Sequence, residues 1–423
     1  MTRYRYDKAF IKGLRPLAVG ILSLAVAGCP GGGDGGSSGG GSTASVCAAP
    51  SIKTAEGNCL TPIASGTGAD YSAALNRLSF ARFEPTITGS DGTGTYEIYV
   101  SDPDGSNALC ISCSDMPGGP RANQHKGAQQ WHPTLGWMVA VVEMPAHISA
   151  HKDVAPGSGL QNDIYAISAD GTQWVKLTSY APITATTLPP PAPFVPWGTP
   201  GGALVPRFNK TGTKVIWGEE IGYDPTFYRF GVQRLAIADF VIVGGVPQLQ
   251  NKTTFSPPGT RIDGSMVHFY EPWSPNGDGT LMAVATDRGT HNAAVVDIYL
   301  FNLTTGQFTT NLSPSPEALQ WEEQAQFSPD GTRIAFMTTQ APYLASDFFN
   351  TFRPDLWIMN PDGSGKARLT RITDNTRAEF LGASKYALPG TWKDNKSFYF
   401  EVNTMTGTGQ DRTQSQVYLF SFP

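Results

Sequence analysis

A short pattern of apolar and polar residues recurs along most of the chain. Its clearest copy is QFSPDGTRIAF, residues 326–336, in which one apolar strand ends at Phe327 and a second, alternating strand buries Ile334. Between the strands, Pro329 presets the backbone at one corner of a tight turn and Gly331 accepts a positive φ. The pattern therefore predicts two antiparallel strands joined by a short turn.

Altered copies of this pattern indicate that the chain consists of repeats. They occupy residues 75–83, 130–143, 206–219, 272–286 and 390–401, and the first of them is degenerate. A second pattern follows, in which alternating aromatic and β-branched residues flank a Gly-containing turn and predict a hairpin. These hairpins occupy residues 97–112, 163–179, 234–250, 297–313 and 355–371, whereas the last unit ends inside its hairpin, in residues 415–423.

Six units of four antiparallel strands predict an all-β fold, a six-bladed β-propeller, because closure into a ring removes exposed sheet edges. The last unit lacks its outer strand, and we expect residues 51–63 of the N-terminal segment to supply it. On this interpretation residues 71–423 form the propeller, and residues 47–70 are an N-terminal segment that is a candidate for closing the ring.

The two patterns together, an aromatic residue before SPDG and a D-I-Y hairpin that ends in L-T, resemble the TolB-type (WD40-like) propeller repeat of bacterial periplasmic proteins. The resemblance covers roughly residues 71–423. It implies a propeller in an exported protein. It does not choose between binding and catalysis, because propellers perform both.

Residues 1–28 have the layout of a secretory signal peptide. A basic stretch is followed by an apolar run, residues 16–28, that is too short to span a bilayer. The run ends in Val26-Ala27-Gly28-Cys29, which resembles the lipobox of bacterial lipoproteins, so Cys29 is the predicted lipidation site. By the same resemblance, the absence of Asp at position 30 favours the outer membrane, at its periplasmic face or at the cell surface.

Residues 29–46 follow as a Gly- and Ser-rich segment without side chains that could pack, and they predict a flexible, lipidated linker. We therefore expect contact with the membrane through the lipid anchor only. Removal of residues 1–28 takes away five basic residues and one acidic residue, which leaves a formal charge near −9. This charge, and the lack of a basic cluster, argue against a nucleic-acid partner. We expect a monomer.

Four cysteines remain besides Cys29, and an even number in an exported protein indicates disulfides. They are Cys47, Cys59, Cys110 and Cys113. Three pairings are possible. The simplest joins Cys47 to Cys59 and Cys110 to Cys113, and crossed pairs stay open. The Cys110–Cys113 spacing also fits a thiol redox motif, but no βαβ pattern surrounds it.

A cluster of histidines suggests a candidate site for a divalent metal, because three or four such ligands can hold one. His125, His147 and His151 fall on connections that share one face of the predicted disc, whereas His132 lies in a short turn on the other face. The alternative is that these histidines are solvated loop residues. No other cofactor is predicted.

The first strand of each unit should line the central channel, so its polar residues are candidate ligand contacts. These candidates are Gln129, Arg207, His268, Glu271, Glu322 and Tyr386. Carboxylates in such a channel could also perform acid–base chemistry if their environments separate their pKa values. A hydrated channel without ligand is the alternative.

The connections divide into two classes that define two faces. Short turns join the first strand of a unit to the second and the third to the fourth, and we call their side the turn face. The long connections emerge on the opposite side, the loop face, and occupy residues 84–95, 145–162, 181–202, 220–232, 340–353 and 403–414. Long loops on one face usually mark the binding side.

Together these features predict a lipid-anchored envelope propeller that binds or scaffolds a protein or glycan through its loop face. Outside the Gly- and Ser-rich linker the chain contains no GxSxG sequence, and it contains no Walker loop, so binding is favoured over catalysis. The alternative is a propeller hydrolase or polysaccharide lyase with a site at the channel mouth, with or without a metal.

Overall fold

Each repeat folds into an antiparallel sheet, here called a blade, and the blades form a ring of six. The computed structural model describes residues 47–89, 94–116, 119–144, 162–181, 195–196, 201–223, 232–255, 269–289, 295–314, 320–339, 351–406 and 409–423. Cys29, His147, His151 and His268 lie outside the described residues.

The strands are numbered in chain order. The N-terminal strands are β1 (Ile52–Lys53) and β2 (Cys59–Ser65). Blade 1 contains β3 (Thr67–Ser72), β4 (Arg77–Glu84), β5 (Thr95–Ser101) and β6 (Leu109–Cys110). Blade 2 contains β7 (Lys126–Trp131), β8 (Trp137–Glu143), β9 (Asn162–Ser168) and β10 (Trp174–Lys176). Blade 3 contains β11 (Val195–Pro196), β12 (Gly202–Phe208), β13 (Lys214–Tyr223), β14 (Val232–Val243) and β15 (Val246–Phe255).

The remaining blades continue the series. Blade 4 contains β16 (Tyr270–Pro275), β17 (Leu281–Thr286), β18 (Asp297–Asn302) and β19 (Gln307–Asn311). Blade 5 contains β20 (Glu322–Phe327), β21 (Ile334–Thr338), β22 (Asp355–Met359) and β23 (Ala367–Arg368). Blade 6 contains β24 (Lys385–Asp394), β25 (Ser397–Thr406) and β26 (Gly409–Ser421).

The inner strands β3, β7, β12, β16, β20 and β24 contact one another in this order, and β24 returns to β3. This closed cycle confirms the six-bladed, all-β propeller. The residues 195–196 pair with the end of β13 and add a short extra strand to blade 3.

Blade 6 is completed from the other end of the chain. The strand β2 pairs antiparallel with β26, with Cys59 opposite Ser421 and Leu60 opposite Phe420. The strand β1 then pairs with β2 as a fifth, outermost strand. The ring is thus joined by non-covalent pairing between the two ends of the propeller sequence.

The turn of QFSPDGTRIAF has the structure that its sequence predicts. The Asp330 carboxylate accepts hydrogen bonds from the Thr332 backbone N–H (3.0 Å) and hydroxyl (2.8 Å), and from the Ser328 hydroxyl (2.6 Å). Phe327 and Phe336 pack with residues of blade 4 in one buried cluster. These contacts confirm that the motif forms a tight turn and that its aromatic residues pack between adjacent blades.

Two segments differ from the sequence-based expectation. The first inner strand is β3, which begins at Thr67, ahead of both residue 71 and the predicted copy at residues 75–83. Residues 403–414, expected as a long connection, largely belong to the β25–β26 hairpin, which still pairs Thr406 with Gly409. Mostly polar residues build this extension, so it carries little apolar alternation to reveal a strand.

Among the described residues, no helix is long and apolar enough to cross a membrane.

Candidate functional site

Each inner strand contains an irregularity at the same position, and these irregularities shape the wall of the channel. The pairing of each inner strand with the next strand shifts register, and blade 6 has a second shift at residues 392–394. The shared shifts lie within residues 67–70, 127–130, 204–207, 272–275, 323–326 and 389–392. Positive φ values occur within them at Gly68, Ala128, Val205 and Gln324. A bulge of this kind bends the strand and re-aims the side chains around it.

A residue at the end of the bulge, or one position before it, commonly bonds to the next blade. In four blades its side chain accepts a hydrogen bond from a backbone N–H of the neighbouring inner strand. These bonds run from Trp131 N to Asp70 Oδ2 (2.6 Å), from Phe208 N to Gln130 Oε1 (2.5 Å), from Phe327 N to Ser274 Oγ (2.8 Å) and from Tyr71 N to Thr391 Oγ1 (2.7 Å). The bonds tie adjacent blades together beside the channel.

Arg207 occupies this position in blade 3 and departs from the pattern. A guanidinium group has no acceptor atom. The equivalent residue of the next inner strand is Pro275, which has no backbone N–H to donate. Because both halves of the usual bond are missing, Arg207 is available for other contacts.

The Arg207 guanidinium lies over the Trp273 ring, with 5.1 Å between Cζ and the ring centroid. Its Nη1 atom donates to the carbonyl oxygens of Ala128 (3.2 Å) and Pro206 (3.1 Å). Within the described residues, no acceptor contacts its Nε or Nη2 atom. The side chain is only half-buried, so these two N–H groups can serve a ligand.

Two further polar atoms without a hydrogen-bond partner belong to Trp273, whose ring Arg207 covers, and to Gln129, the residue after Ala128. Gln129, which follows Ala128, is 2% exposed and donates to Gly68 O (2.5 Å). Its Oε1 atom and the Nε1 atom of Trp273 have no hydrogen-bond partner in the described part of the protein. Buried polar groups normally have partners. Three donor atoms, Arg207 Nε and Nη2 and Trp273 Nε1, and one acceptor atom, Gln129 Oε1, thus have no hydrogen-bond partner in the described part of the protein.

Charge in this part of the channel depends on burial. Burial raises the pKa of Asp70 to about 7, while the Trp131 N–H and the charge of Arg207 oppose the rise. Burial also lowers the pKa of Arg207 to about 10, against the opposite effect of Asp70 and Glu271. Arg207 is therefore a cation at neutral pH, and Asp70 keeps its proton to a higher pH than an ordinary aspartate does.

We expect the free energy of unfolding to fall, relative to an Asp70→Asn variant, as the pH rises from about 4 to about 7. In this range the folded protein keeps a proton on Asp70 that the unfolded chain, with an ordinary pKa of 3.8, has released. The stabilising contribution is complete below the ordinary pKa and is lost as the pH rises through the folded value. Urea unfolding of both proteins at about pH 4.5 and about pH 7.5 measures the effect.

Asp362→Asn is the matched control for this experiment. Asp362 caps an exposed turn, and its hydrogen bonds with Ser364 lower its pKa below 3.8, so its contribution should not change within this pH range. If the stability of Asp70→Asn follows that of the wild type at every pH, Asp70 does not titrate in the way described.

The structure brings some of the predicted channel residues together and separates others. Gln129 and Arg207 belong to the group described above, and Glu271 acts on Arg207 through its charge. Glu322 instead lies near Lys366, 3.5 Å from its Nζ atom, and burial raises its pKa to about 7. Tyr386 is fully buried in a core cluster that includes Phe352.

Asp70 and Trp273 were not identified from the sequence, although a signal for Asp70 exists. It precedes Tyr71 as Gln326 precedes Phe327, so alignment of the repeats on their aromatic residue would have found it. Trp273 carries no comparable signal, because a tryptophan in an inner strand is usually a core residue.

His125 is buried, and its Nδ1 atom accepts a hydrogen bond from the Tyr96 backbone N–H (3.2 Å). Among the described residues, one group of three possible metal ligands is close together, and it consists of Glu97, Cys110 and Cys113. The two cysteines of that group are bonded to each other. The histidine metal site stays a prediction, because two of its members lie outside the described residues.

Both disulfides follow the simplest pairing. Cys47 is joined to Cys59 and Cys110 to Cys113, with Cα–Cα distances of 5.6 and 5.7 Å. Each bridge links residues close in sequence, so neither holds two blades together.

A fully buried ion pair joins blades 1 and 2. Lys126 Nζ lies 3.0 Å from both carboxylate oxygens of Glu97 and donates to Gln124 O (2.7 Å). The hydroxyl groups of Thr95 (2.8 Å) and Ser112 donate to the same carboxylate. Burial raises the pKa of Glu97 to about 7, and the Lys126 charge opposes the rise.

The strand order defines the protein as a six-bladed β-propeller. No family model and no curated protein matches the sequence. Among solved structures, the chain is similar to TolB from Acinetobacter baumannii, with 11% identity over 82% of this chain and 64% of that one and a TM-score of 0.43. It is also similar to a TolB candidate from Agrobacterium tumefaciens, with 14% identity over 75% of this chain and 94% of that one and a TM-score of 0.40.

A puromycin hydrolase is also similar, with 10% identity over 81% of this chain and 50% of that one and a TM-score of 0.42. The chain thus spans less than two thirds of the Acinetobacter TolB structure and half of the hydrolase. The strand pairing, rather than these similarities, establishes the ring.

Proposed function

We propose that this protein is a lipid-anchored binding module of the bacterial envelope. It holds a protein or glycan on its loop face, and one polar group of that partner extends through the channel to Arg207, which is the penultimate residue of β12 and lies toward the turn face. The observation that carries the proposal is the half-buried Arg207 with its unused Nε and Nη2 donors. A carboxylate, or an amide or sugar oxygen, is the kind of group that these donors would bind.

The difference between the two faces supports the loop face as the binding side. On the turn face, short turns satisfy their own backbone, as Asp330 and Asp170 do by accepting from nearby N–H and hydroxyl groups. On the loop face, consecutive strands are separated by longer stretches of chain. These stretches include residues 111–125, 144–161, 177–194, 256–269 and 339–354.

The proposed anchor is the lipidated Cys29 at the outer membrane, and the linker of residues 29–46 holds the propeller away from the lipid. This location is supported by the signal peptide and the lipobox-like sequence. A partner would then be an envelope protein or an envelope glycan.

Photo-crosslinking in cells tests the choice of face. A photoreactive residue in place of Phe380, on the connection between blades 5 and 6, is expected to capture a partner. The same residue in place of Leu135, in a turn-face loop, is expected to capture none. The two positions are 39% and 40% exposed, so they differ in face and not in accessibility. Capture from Leu135 alone would overturn the assignment.

Arg207→Ala is expected to weaken binding of the captured partner by roughly 10- to 100-fold, because hydrogen bonds to a charged group contribute about 1.5–3 kcal/mol. Titration of the purified partner by calorimetry measures the change. Arg77→Ala is the control, since Arg77 lies beside the turn face in an exposed pair with Asp102. Equal affinities for the two variants would remove the channel from the proposal. Cleavage of a bound glycan would favour the hydrolase or lyase alternative.

A further inference from the structure

The tip of the β14–β15 hairpin on the turn face is apolar and exposed. Ile242, Val243 and Val246 are 39%, 50% and 45% exposed. Gly244 and Gly245 form the turn between them with φ values of 59° and 84°. A Cβ atom added to either glycine would meet nothing within 4 Å. The tip therefore projects away from the rest of the propeller.

The equivalent turns of other blades are polar. They read DPDGSN in blade 1, ADGTQ in blade 2, LTTG in blade 4 and NPDGSGK in blade 5. In blade 5, for example, Asp362 accepts hydrogen bonds from the N–H and hydroxyl of Ser364. The apolar tip of blade 3 is thus a departure from the repeat and not a property of the fold.

Exposed apolar side chains are concentrated on this face. The large exposed hydrophobic residues of the described chain are Leu109, Leu135, Ile242, Val243, Val246 and Phe380. All except Phe380 lie at turns of the turn face, in blades 1, 2 and 3. Exposed apolar side chains that are concentrated on one side of a protein indicate an interaction with an apolar partner on that side.

The N-terminal segment enters the propeller at the same face. Cys59 pairs with Ser421, at the turn-face end of β26. The Cys47–Cys59 disulfide, with 5.6 Å between the two Cα atoms, holds Cys47 at this end of the blade. The described part of the chain therefore begins at the turn face.

We propose that the turn face rests on a lipid bilayer and that Ile242, Val243 and Val246 insert into it. The inference builds on the proposed anchor at Cys29. A linker of about 18 residues has a root-mean-square reach of roughly 25 Å, which keeps the propeller close to the lipid. Because the linker keeps the propeller near the lipid, three inserted aliphatic side chains suffice to orient the propeller on the bilayer.

A bilayer fits this tip better than a second copy of the chain does. A stable protein interface buries about 800 Å² on each partner with matched shapes, and a narrow two-stranded tip offers little such area. A lipid surface requires no matching shape. In this orientation the loop face points away from the membrane, toward the partner of the proposed function.

The test uses the processed chain from residue 29 onward with Cys29→Ser, so that no lipid is attached. Flotation with vesicles of phosphatidylethanolamine and phosphatidylglycerol is expected to show weak binding. The double change Ile242→Asp and Val243→Asp is expected to lower the partition coefficient by about tenfold or more, because charged groups replace apolar ones in the lipid. Phe380→Asp, which alters an equally exposed apolar residue on the loop face, should leave binding unchanged.

Urea unfolding of each variant shows whether it is folded, and exposed tip residues should not affect stability. Equal vesicle binding of the tip variant and Phe380→Asp would overturn the proposal. Loss of binding to vesicles that lack phosphatidylglycerol would also overturn it. The same holds if the tip residues mediate a dimer and the protein does not bind vesicles. Mass spectrometry of the cellular protein tests the Cys29 anchor separately, so failure of the anchor and failure of the tip are distinguishable.

Discussion

Lys126→Met is expected to lower the free energy of unfolding by about 3–5 kcal/mol, because it leaves the Glu97 carboxylate buried without a cation. Lys126 and Glu97 are both 0% exposed. The hydroxyl groups of Thr95 and Ser112 continue to donate to the carboxylate, but neither carries a charge. Urea unfolding, monitored by tryptophan fluorescence, measures the loss.

The loss should be greater at about pH 8 than at about pH 5. Burial already raises the pKa of Glu97 to about 7, and removal of the Lys126 charge raises it further. A carboxyl with a raised pKa stabilises the fold while it is protonated, and this contribution is lost as the pH rises through the folded value. A Glu97→Gln, Lys126→Met double variant should recover most of the stability, since neither charge is then buried.

Arg77→Ala is the matched control, because Arg77 and Asp102 form an ion pair in the same blade with side chains that are 45% and 33% exposed. Exposed pairs contribute about 0–1 kcal/mol. A cost for Lys126→Met no larger than that of Arg77→Ala would show that water reaches the Glu97 carboxylate.

Leu60→Ala is expected to cost about 2–5 kcal/mol, the range for a large-to-small change in a packed core. Leu60 is 0% exposed and packs in one cluster with Phe398 and Phe420. It lies on β2, which supplies the fourth strand of blade 6. A cavity at this position weakens the contact that closes the ring, so the urea dependence of unfolding should also become less cooperative.

The disulfide cannot substitute for this packing. Cys47 and Cys59 are separated by 12 positions on the same N-terminal segment, so the bridge does not attach β2 to β26. Reduction should leave the ring closed, as measured by its radius of gyration in solution scattering. Lys53→Ala, which changes an exposed residue of β1, is the control. If Leu60→Ala is no more harmful than Lys53→Ala, β2 does not close the ring.

Much of the candidate site could not be predicted from sequence because it depends on the bulges in the inner strands. A regular strand alternates its side chains between two sides, and on that basis Glu271, Glu322 and Tyr386 all qualified as channel residues. A bulge adds a residue on one side and resets the alternation. The strand register therefore decides which side chains lie near Arg207, and the apolar pattern of the sequence does not reveal that register.

Pro275 also shows why the candidate site could not be predicted from the sequence. Its identity is visible in the sequence, and so is its lack of an N–H. Its effect on Arg207 appears only once the two inner strands are adjacent, because four other blades join the same two positions by a hydrogen bond. Glu97 and Lys126 likewise read as ordinary strand residues until the packing of blades 1 and 2 buries both.

The repeated QFSPDGTRIAF-like pattern was sufficient for the six blades, the short turns and the strand missing from the last unit. These features depend on local preferences, such as Pro and Gly in turns and alternating apolar residues in strands, which act over a few neighbouring residues. The partners of Arg207, the burial of the Glu97–Lys126 pair and the common face of the Val243 tip and Cys47 depend on closure of the ring. Closure brings together residues far apart in the chain, so tertiary structure alone decides them.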